Sequence, residues 1–398
     1  MNVTAIKAAQ KPEDLHARAR ALVPILRARS QEIAETRRVP DDIIARLYAE
    51  GLMELARPKL YGGPDLGVDL IFDIAQILAE GDGSVAWVYG VTNSHDHLVG
   101  LYPKEVQDAY WASGRPLCAS SYVPTGRAEK VEGGYKLNGQ WPFCSGIDHC
   151  DWVVVGGVTG MLPGEPPRPD LYLFMVRVSD LELVDDWDVM GLAGTGSKSV
   201  LAKDLFVPES YALSNAAVMT GGAPGAQIHD NPIYQASIWL MFGFSILSPA
   251  TGILRGAYET MLADARQRFA AREPMFMAKL AQTEMRFAEV SALLEASEML
   301  FNTAMRESYR LIANGTPFSD EIRVRNRRNQ VVVARNCRQA MDSLMQMAGG
   351  GGIREAGAVQ RAMRDLYAIS AHPGGNWDGA MTSYGSVVLG GQPTEMFC

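Results

Sequence analysis

A stretch rich in Val, Tyr and Trp, residues 116 to 208, lies between two long helical blocks, and this order constrains the fold more than any other feature. Residues 13 to 112 carry apolar side chains at helical spacing among Ala, Leu and Arg. Pro40 opens DDIIARLYAEGL and Gly51 follows its end, the usual punctuation of a helix. The middle stretch contains GGYKLNGQW, CDWVVVGGV, LYLFMV and KSVLAKDLFV, separated by Gly and Pro, which predicts strands and turns. LPGEPPRPD, residues 162 to 170, is predicted to be a loop. After TGGAPG at 220 to 225, helical patterning returns through 253–269, 278–313 and 322–347. Segregated helices and strands imply an α+β architecture, not an alternating parallel sheet. The expected domains are 1–114, helical; 115–222, a β barrel or sandwich; and 223–398, a helical bundle.

Composition narrows the function classes. A chain of 398 residues can bury a large core without disulfides or a structural metal. Its cysteines, Cys118, Cys144, Cys150, Cys337 and Cys398, are odd in number and irregular in spacing. That fits reduced thiols and a cytoplasmic location. The N-terminal MNVTAIKAAQKPED has no apolar run of the secretory kind. Net charge is −8 and the basic residues are scattered apart from Arg323 to Arg328, so no nucleic-acid partner is expected. Residues 231 to 254 hold no charge and include WLMFGFSIL, but also Gln235, Ser237, Ser245, Ser248 and Pro249. A buried helix of a large enzyme or oligomer is expected there, and no membrane partner.

Three motifs fail on inspection. GLAGTGSKS, 191 to 199, misses a P-loop because Ser197 separates Gly196 from Lys198, and a strand pattern follows where a phosphate-binding helix is needed. Cys144, His149 and Cys150 lack a second ligand pair for zinc, so no metal site is expected. Gly349 to Gly352 is predicted as a turn after a helix, because glycine is costly inside one. It serves either as a cap or as a close approach to a ligand. Among the six histidines, His16 and His229 sit in polar surroundings and are expected at the surface. His95 and His97 flank Asp96, and His372 follows the helix that holds Arg364 and Asp365.

Several segments in fixed order carry a family resemblance spanning residues 15 to 390. They are YKLNGQWPFCS (135–145), MGLAGTGSKSVLAKDLFVP (190–208), ADARQRFA (263–270), QMAGGGGI and RAMRDLYAI. Together they resemble the acyl-CoA dehydrogenase superfamily, whose fold places a helical domain, a middle β domain and a C-terminal helical bundle in this order. Its dehydrogenases carry a glutamate shortly after the Arg-Asp pair. Here that region reads AISAHPGGNWD, with His372 and no Glu. A histidine there, with SGIDHCDW from Ser145 onward, is similar to the group D two-component flavin-dependent monooxygenases. Their oxygenase components include those acting on 4-hydroxyphenylacetate, 3-hydroxy-secoandrostanetrienone and indole-3-acetate.

The resemblance implies an oxygenase that takes reduced FMN or FAD from a separate reductase. With O2 it would form a flavin C4a-hydroperoxide and hydroxylate a small aromatic substrate, phenolic or indole-type, as a homotetramer. By motif, the catalytic residues would be His95, Ser121, Ser145 and His372. Flavin contacts would come from Trp87, Ser120, Ser121, Phe143, Ser145, Arg266 and Gly350. Either Ser120 or Ser121 would stand near the reacting oxygen, Ser145 at flavin N5, and one of His95 and His372 would be the base. No Lys or Arg occurs between Lys203 and Arg255, where the 4-hydroxyphenylacetate enzyme holds its substrate carboxylate with an arginine. A neutral or bulky aromatic is therefore expected. The alternatives are an FAD-dependent acyl-CoA dehydrogenase and a non-catalytic flavin or ligand carrier on the same scaffold.

Overall fold

The structure, a computed structural model, describes residues 12–164 and 166–395. Cys398 and the first eleven residues lie outside the described residues. Among the described residues five helices come first: α1 (Pro12–Thr36), α2 (Asp41–Ala49), α3 (Val68–Ala79), α4 (Gly83–Val99) and α5 (Lys104–Trp111). Seven strands follow: β1 (Cys118–Val131), β2 (Gly134–Trp141), β3 (Trp152–Leu162), β4 (Arg168–Arg177), β5 (Glu182–Val184), β6 (Ser199–Pro208) and β7 (Ala212–Ser214). Then come helices α6 (Asn215–Thr220), α7 (Trp239–Ala270), α8 (Pro274–Met277), α9 (Leu280–Ala313), α10 (Asp320–Ala348), α11 (Ala358–Ala371) and α12 (Trp377–Val388). This is the acyl-CoA dehydrogenase-like arrangement, with helical N- and C-terminal parts around a central sheet.

The sheet runs β5-β6-β2-β1-β3-β4-β7. Of these strands β1 and β3 pair in parallel, and the other pairs are antiparallel. The predicted loop at 162–170 is shorter than expected, because Leu162 pairs with Arg168 and Met161 with Pro169. Proline is tolerated there at the end of the ladder. The β1–β3 ladder lapses between Ser121 and Gly126, and Tyr122 is the first residue of that lapse.

Two features set how the helices meet. Asp82 caps α4, its carboxylate accepting from Val85 N at 2.9 Å. Helix α7 starts at Trp239 and passes through Pro249, joining the buried helix expected within 231–254 to the helical segment expected from Ile253 as one continuous element. The Ser245 carbonyl loses its helical donor to that proline and accepts the Ser248 hydroxyl at 3.1 Å instead. Gly252 and Gly256 let α7 press on α3 and its end: a Cβ would lie 1.9 Å from Gln76 O and 2.3 Å from Glu80 O. In length and composition α7 could cross a membrane, but 78% of its apolar window is buried inside the molecule. Its apolar surface is used in packing against α3, α4, α9, α10 and α11.

Candidate active site

Where the two helical parts meet the sheet, a cavity of about 520 Å³ opens. Its wall holds Trp87, His95, Ser120, Ser121, Phe143, Ser145 and His372 together. Arg266 and Gly350 are not brought there: both are exposed, and nothing stands within 4 Å of a Cβ built on Gly350. Gly350 belongs to a 3-10 turn that follows α10, as the glycine run predicts.

Helix α4 supplies one wall. Trp87, Val91, Ser94, His95 and Leu98 all line the cavity, at spacings of three to four residues that share a helix face. Strand β1 supplies another. Alternation puts Ser120 and Tyr122 on one side and Ser121 on the other. Ser121 accordingly donates to Pro142 O at 2.6 Å, while Ser120 Oγ lies 3.0 Å from His95 Nε2. Of the two serines, Ser120 is the one held against the histidine.

The two cavity histidines differ in tautomer. His95 Nδ1 is 2.6 Å from Cys118 O. A carbonyl only accepts, so Nδ1 carries the proton and Nε2 is a lone pair facing Ser120 and, at 3.4 Å, the Tyr122 hydroxyl. His372 caps the turn after α11, its Nδ1 accepting from Gly374 N at 2.9 Å. Its remaining proton is therefore on Nε2. Burial pushes each ring's pKa down to about 4, with Arg327 adding to the effect at His372. Both are neutral at pH 7. His97 lines the cavity too, and its Nε2 donates to Ile233 O at 3.1 Å. His229 is buried, not at the surface, with Nε2 2.9 Å from Gln107 Oε1; neighbouring sequence polarity does not reveal its packing against Tyr234.

A chain of hydroxyls lies at the other end. Thr195 Oγ1 donates to Leu192 O at 2.8 Å, so Ser197 must donate to Thr195 at 2.7 Å and Ser145 to Ser197 at 2.8 Å. Trp87 Nε1 donates to Ser145 at 3.0 Å and starts the chain. Each proton is committed in one direction, and Ser145 keeps an acceptor lone pair. The turn holding Ser145 is zipped to the 195–198 loop by Cys144 N to Lys198 O and Gly146 N to Thr195 O, at 3.1 and 2.9 Å. Phe143 adopts φ 66° and Gly146 φ 72°, and Phe143 is left 59% exposed at the cavity. The loop is fastened by α11, where Asp365 accepts from Leu192 N at 2.6 Å.

An aromatic series connects the two ends. His372 stands 5.7 Å from Trp87 and 5.8 Å from Phe242; Phe242 is 5.9 Å from Tyr122, and Tyr122 is 6.4 Å from His95. Trp187, Trp239 and Met241 complete much of the apolar lining. Among the described residues, no Lys, Arg, Asp or Glu lines the cavity. The superfamily's dehydrogenases take a proton beside a thioester with a carboxylate, and the described lining of this cavity provides no carboxylate. Residues missed in the sequence are Tyr122, Trp187, Thr195, Ser197 and Trp239. Thr195 and Ser197 stand inside GLAGTGSKS, and Tyr122 follows from Ser120 by strand alternation.

Comparisons with known proteins show the family and the fold. The family described as acyl-CoA dehydrogenase, C-terminal domain, matches residues 244–377. The flavin-dependent monooxygenase, oxygenase subunit HsaA, of Rhodococcus jostii is 30% identical over 375 residues, 93% of this chain and 97% of that protein. The oxygenase component of the FADH2-dependent resorcinol hydroxylase of a Rhizobium species is 28% identical, covering 96% of this chain and 95% of that one. The crystal structure of 3-HSA hydroxylase from Rhodococcus sp. RHA1 superposes with a TM-score of 0.91 at 29% identity, covering 97% of this chain and 99% of that chain. The dehydrogenase alternative is thereby set aside. The chain belongs to the oxygenase subunits of flavin-dependent monooxygenases built on the acyl-CoA dehydrogenase fold.

Proposed function

We propose that this protein is the oxygenase component of a two-component monooxygenase that hydroxylates a neutral phenolic or indole-type substrate with reduced flavin and O2. One observation carries the reading: a cavity whose described lining bears no formal charge presents a histidine lone pair at one end and a committed hydroxyl chain at the other. The relatives named as flavin-dependent monooxygenase and resorcinol hydroxylase support it.

The residues present fit a reduced flavin. Reduced flavin carries a proton at N5, so it needs an acceptor there, and Ser145 has its own proton committed to Ser197 and a lone pair to spare. Exposed Phe143, edge-on to Trp187 at 6.0 Å, supplies an apolar face that a flat ring system would cover. Trp87, Ser120, Ser121, Phe143 and Ser145 are the residues we assign to holding it, as FMN or FAD. When bound, reduced flavin supplies the two electrons with which O2 is divided between the substrate and water.

The protein's own residues orient, exclude water and move one proton. Trp87, Phe242 and Trp239 keep the cavity apolar. His95 Nε2 accepts the substrate's O–H or N–H proton. A phenol ionises near pH 10 and His95 near 4, so full transfer beforehand would cost about 8 kcal/mol. That cost falls where the anion is stabilised in its seat, and falls further as oxygen is added and the ring becomes acidic. His372, with its proton on Nε2, donates into the same cavity. A lining free of Lys and Arg among the described residues favours substrates without a carboxylate.

We further assign residues 1–114, 115–222 and 223–398 to three domains, each lending side chains to the cavity. A separate reductase supplies the reduced flavin. Cys118, Cys144, Cys150 and Cys337 are all free thiols, which supports a cytoplasmic location. Exposed Met275, Met285, Met299 and Leu389 support self-association, which we assign to a homotetramer. The test is to mix the protein with chemically reduced FMN or FAD, ¹⁸O2 and a panel of phenols and indoles. Product carrying one labelled oxygen is expected. Quantitative return of the reductant as hydrogen peroxide with every substrate would defeat the reading.

A further inference from the structure

The substrate end of the cavity contains one hydroxyl beyond those that proton transfer to His95 requires. Ser120 Oγ and Tyr122 Oη lie 3.0 and 3.4 Å from the same atom, His95 Nε2. An unprotonated imidazole nitrogen has one lone pair, so it fully satisfies only one of them. The two hydroxyls also interact with each other: a hydrogen bond from Ser120 opposes the burial that raises the Tyr122 pKa. Three polar groups thus converge on one point of a mostly apolar cavity.

Packing, not that hydrogen bond, fixes the tyrosine oxygen. The Tyr122 ring stands edge-on to His95, Trp239 and Phe242, with centroids 6.4, 5.4 and 5.9 Å away. Its backbone sits where the β1–β3 ladder lapses, pressed against Gly156, on which a Cβ would stand 2.6 Å from Tyr122 O. Any residue but glycine at 156 would push Tyr122 away from its place.

We propose that Tyr122 is a catalytic residue: its hydroxyl and that of Ser120 donate to the substrate's phenolic oxygen and hold the phenolate while His95 holds the proton. The inference rests on the cavity being a phenol site. The substrate's O–H bond breaks and an Nε2–H bond forms, with the electron pair staying on oxygen. His95 becomes imidazolium, its Nδ1–H still donated to Cys118 O. Once Nε2 is protonated it accepts from neither hydroxyl, and both turn to the new anion. The proton stays within the site, and no oxidant takes part in this step. Burial leaves His95 a weak base, so a seat that stabilises the anion is what allows the transfer to proceed.

The experiment uses 4-nitrophenol, whose ionisation is visible by absorbance, bound anaerobically to the full-length protein loaded with reduced FMN. Tyr122→Phe keeps the ring and its packing and removes only the hydroxyl. The bound probe is expected to ionise about one pH unit higher in Tyr122→Phe than in the wild type, a tenfold change in its acidity. Ser120→Ala is expected to shift it in the same direction. Binding of 4-nitroanisole, which has no hydroxyl, should be unchanged by Tyr122→Phe, showing that the cavity is intact. An identical probe pKa in wild type and Tyr122→Phe overturns the proposal and leaves the phenol reading standing. Failure of the wild type to bind 4-nitrophenol at all overturns both.

Discussion

His95 and His372 are both buried, both neutral and both on the wall of one cavity, yet they offer it opposite chemistry. His95 commits its Nδ1 proton to Cys118 O and presents a lone pair. His372 commits its Nδ1 lone pair to Gly374 N and presents a proton. The difference comes from single backbone groups: a strand carbonyl across from α4 in one case, an amide two residues onward in the other. Burial sets the charge of these histidines; the backbone partner sets the role of each.

The largest expected effect is at the acceptor. His95→Gln is expected to lower hydroxylation by about a hundredfold or more, because glutamine cannot take a proton. Flavin oxidation should continue, with peroxide replacing product in a quantitative peroxide assay. His372→Gln is expected to cost no more than about tenfold in the same assay, since a glutamine amide still donates a hydrogen bond. Equal losses in the two variants would erase the distinction. The next test is pH. A folded-state pKa below the free value of 6.5 keeps His95 neutral down to about pH 4, so the acid limb of kcat/KM is expected near 4. Between about pH 7.5 and 5.5 the rate should change less than twofold, whereas an unperturbed histidine would lose most of its activity there. The same shifts make His95 and His372 subtract stability as pH falls from about 6.5 toward 4, because the unfolded chain binds their protons first. The smallest effect is at the hydroxyl chain. Thr195→Val removes its terminal donor to Leu192 O, and anaerobic titration is expected to show reduced FMN binding weakened about fivefold. Oxidised FMN should change less, because it lacks the N5 proton that Ser145 is proposed to accept.

Legibility in the sequence followed the same division. The helix–sheet–helix order was readable because burial imposes periods of 3.6 and 2 on the chain. The continuity of α7 was not. A proline ordinarily marks a helix boundary, yet Pro249 lies inside α7, where the Ser248 hydroxyl restores the hydrogen bond lost at Ser245 O. Motif resemblance pointed to Trp87, His95, Ser120, Phe143, Ser145 and His372, and these meet at the cavity. It left Ser120 and Ser121 unresolved; strand alternation separates them once Ser121 is seen on Pro142 O. The tautomers were beyond reach, since Cys118 and Gly374 acquire their roles only when β1 and the turn after α11 are in place. Tyr122 was missed for a related reason: its hydroxyl has meaning only beside Nε2.

The most direct test is where the protons are. A neutron structure of the deuterium-exchanged protein at neutral pH locates them on both rings. Deuterium is expected on Nδ1 alone at His95 and on Nε2 alone at His372. Deuterium on Nε2 of His95, or on both nitrogens, would leave the cavity without its proton acceptor and contradict the mechanism.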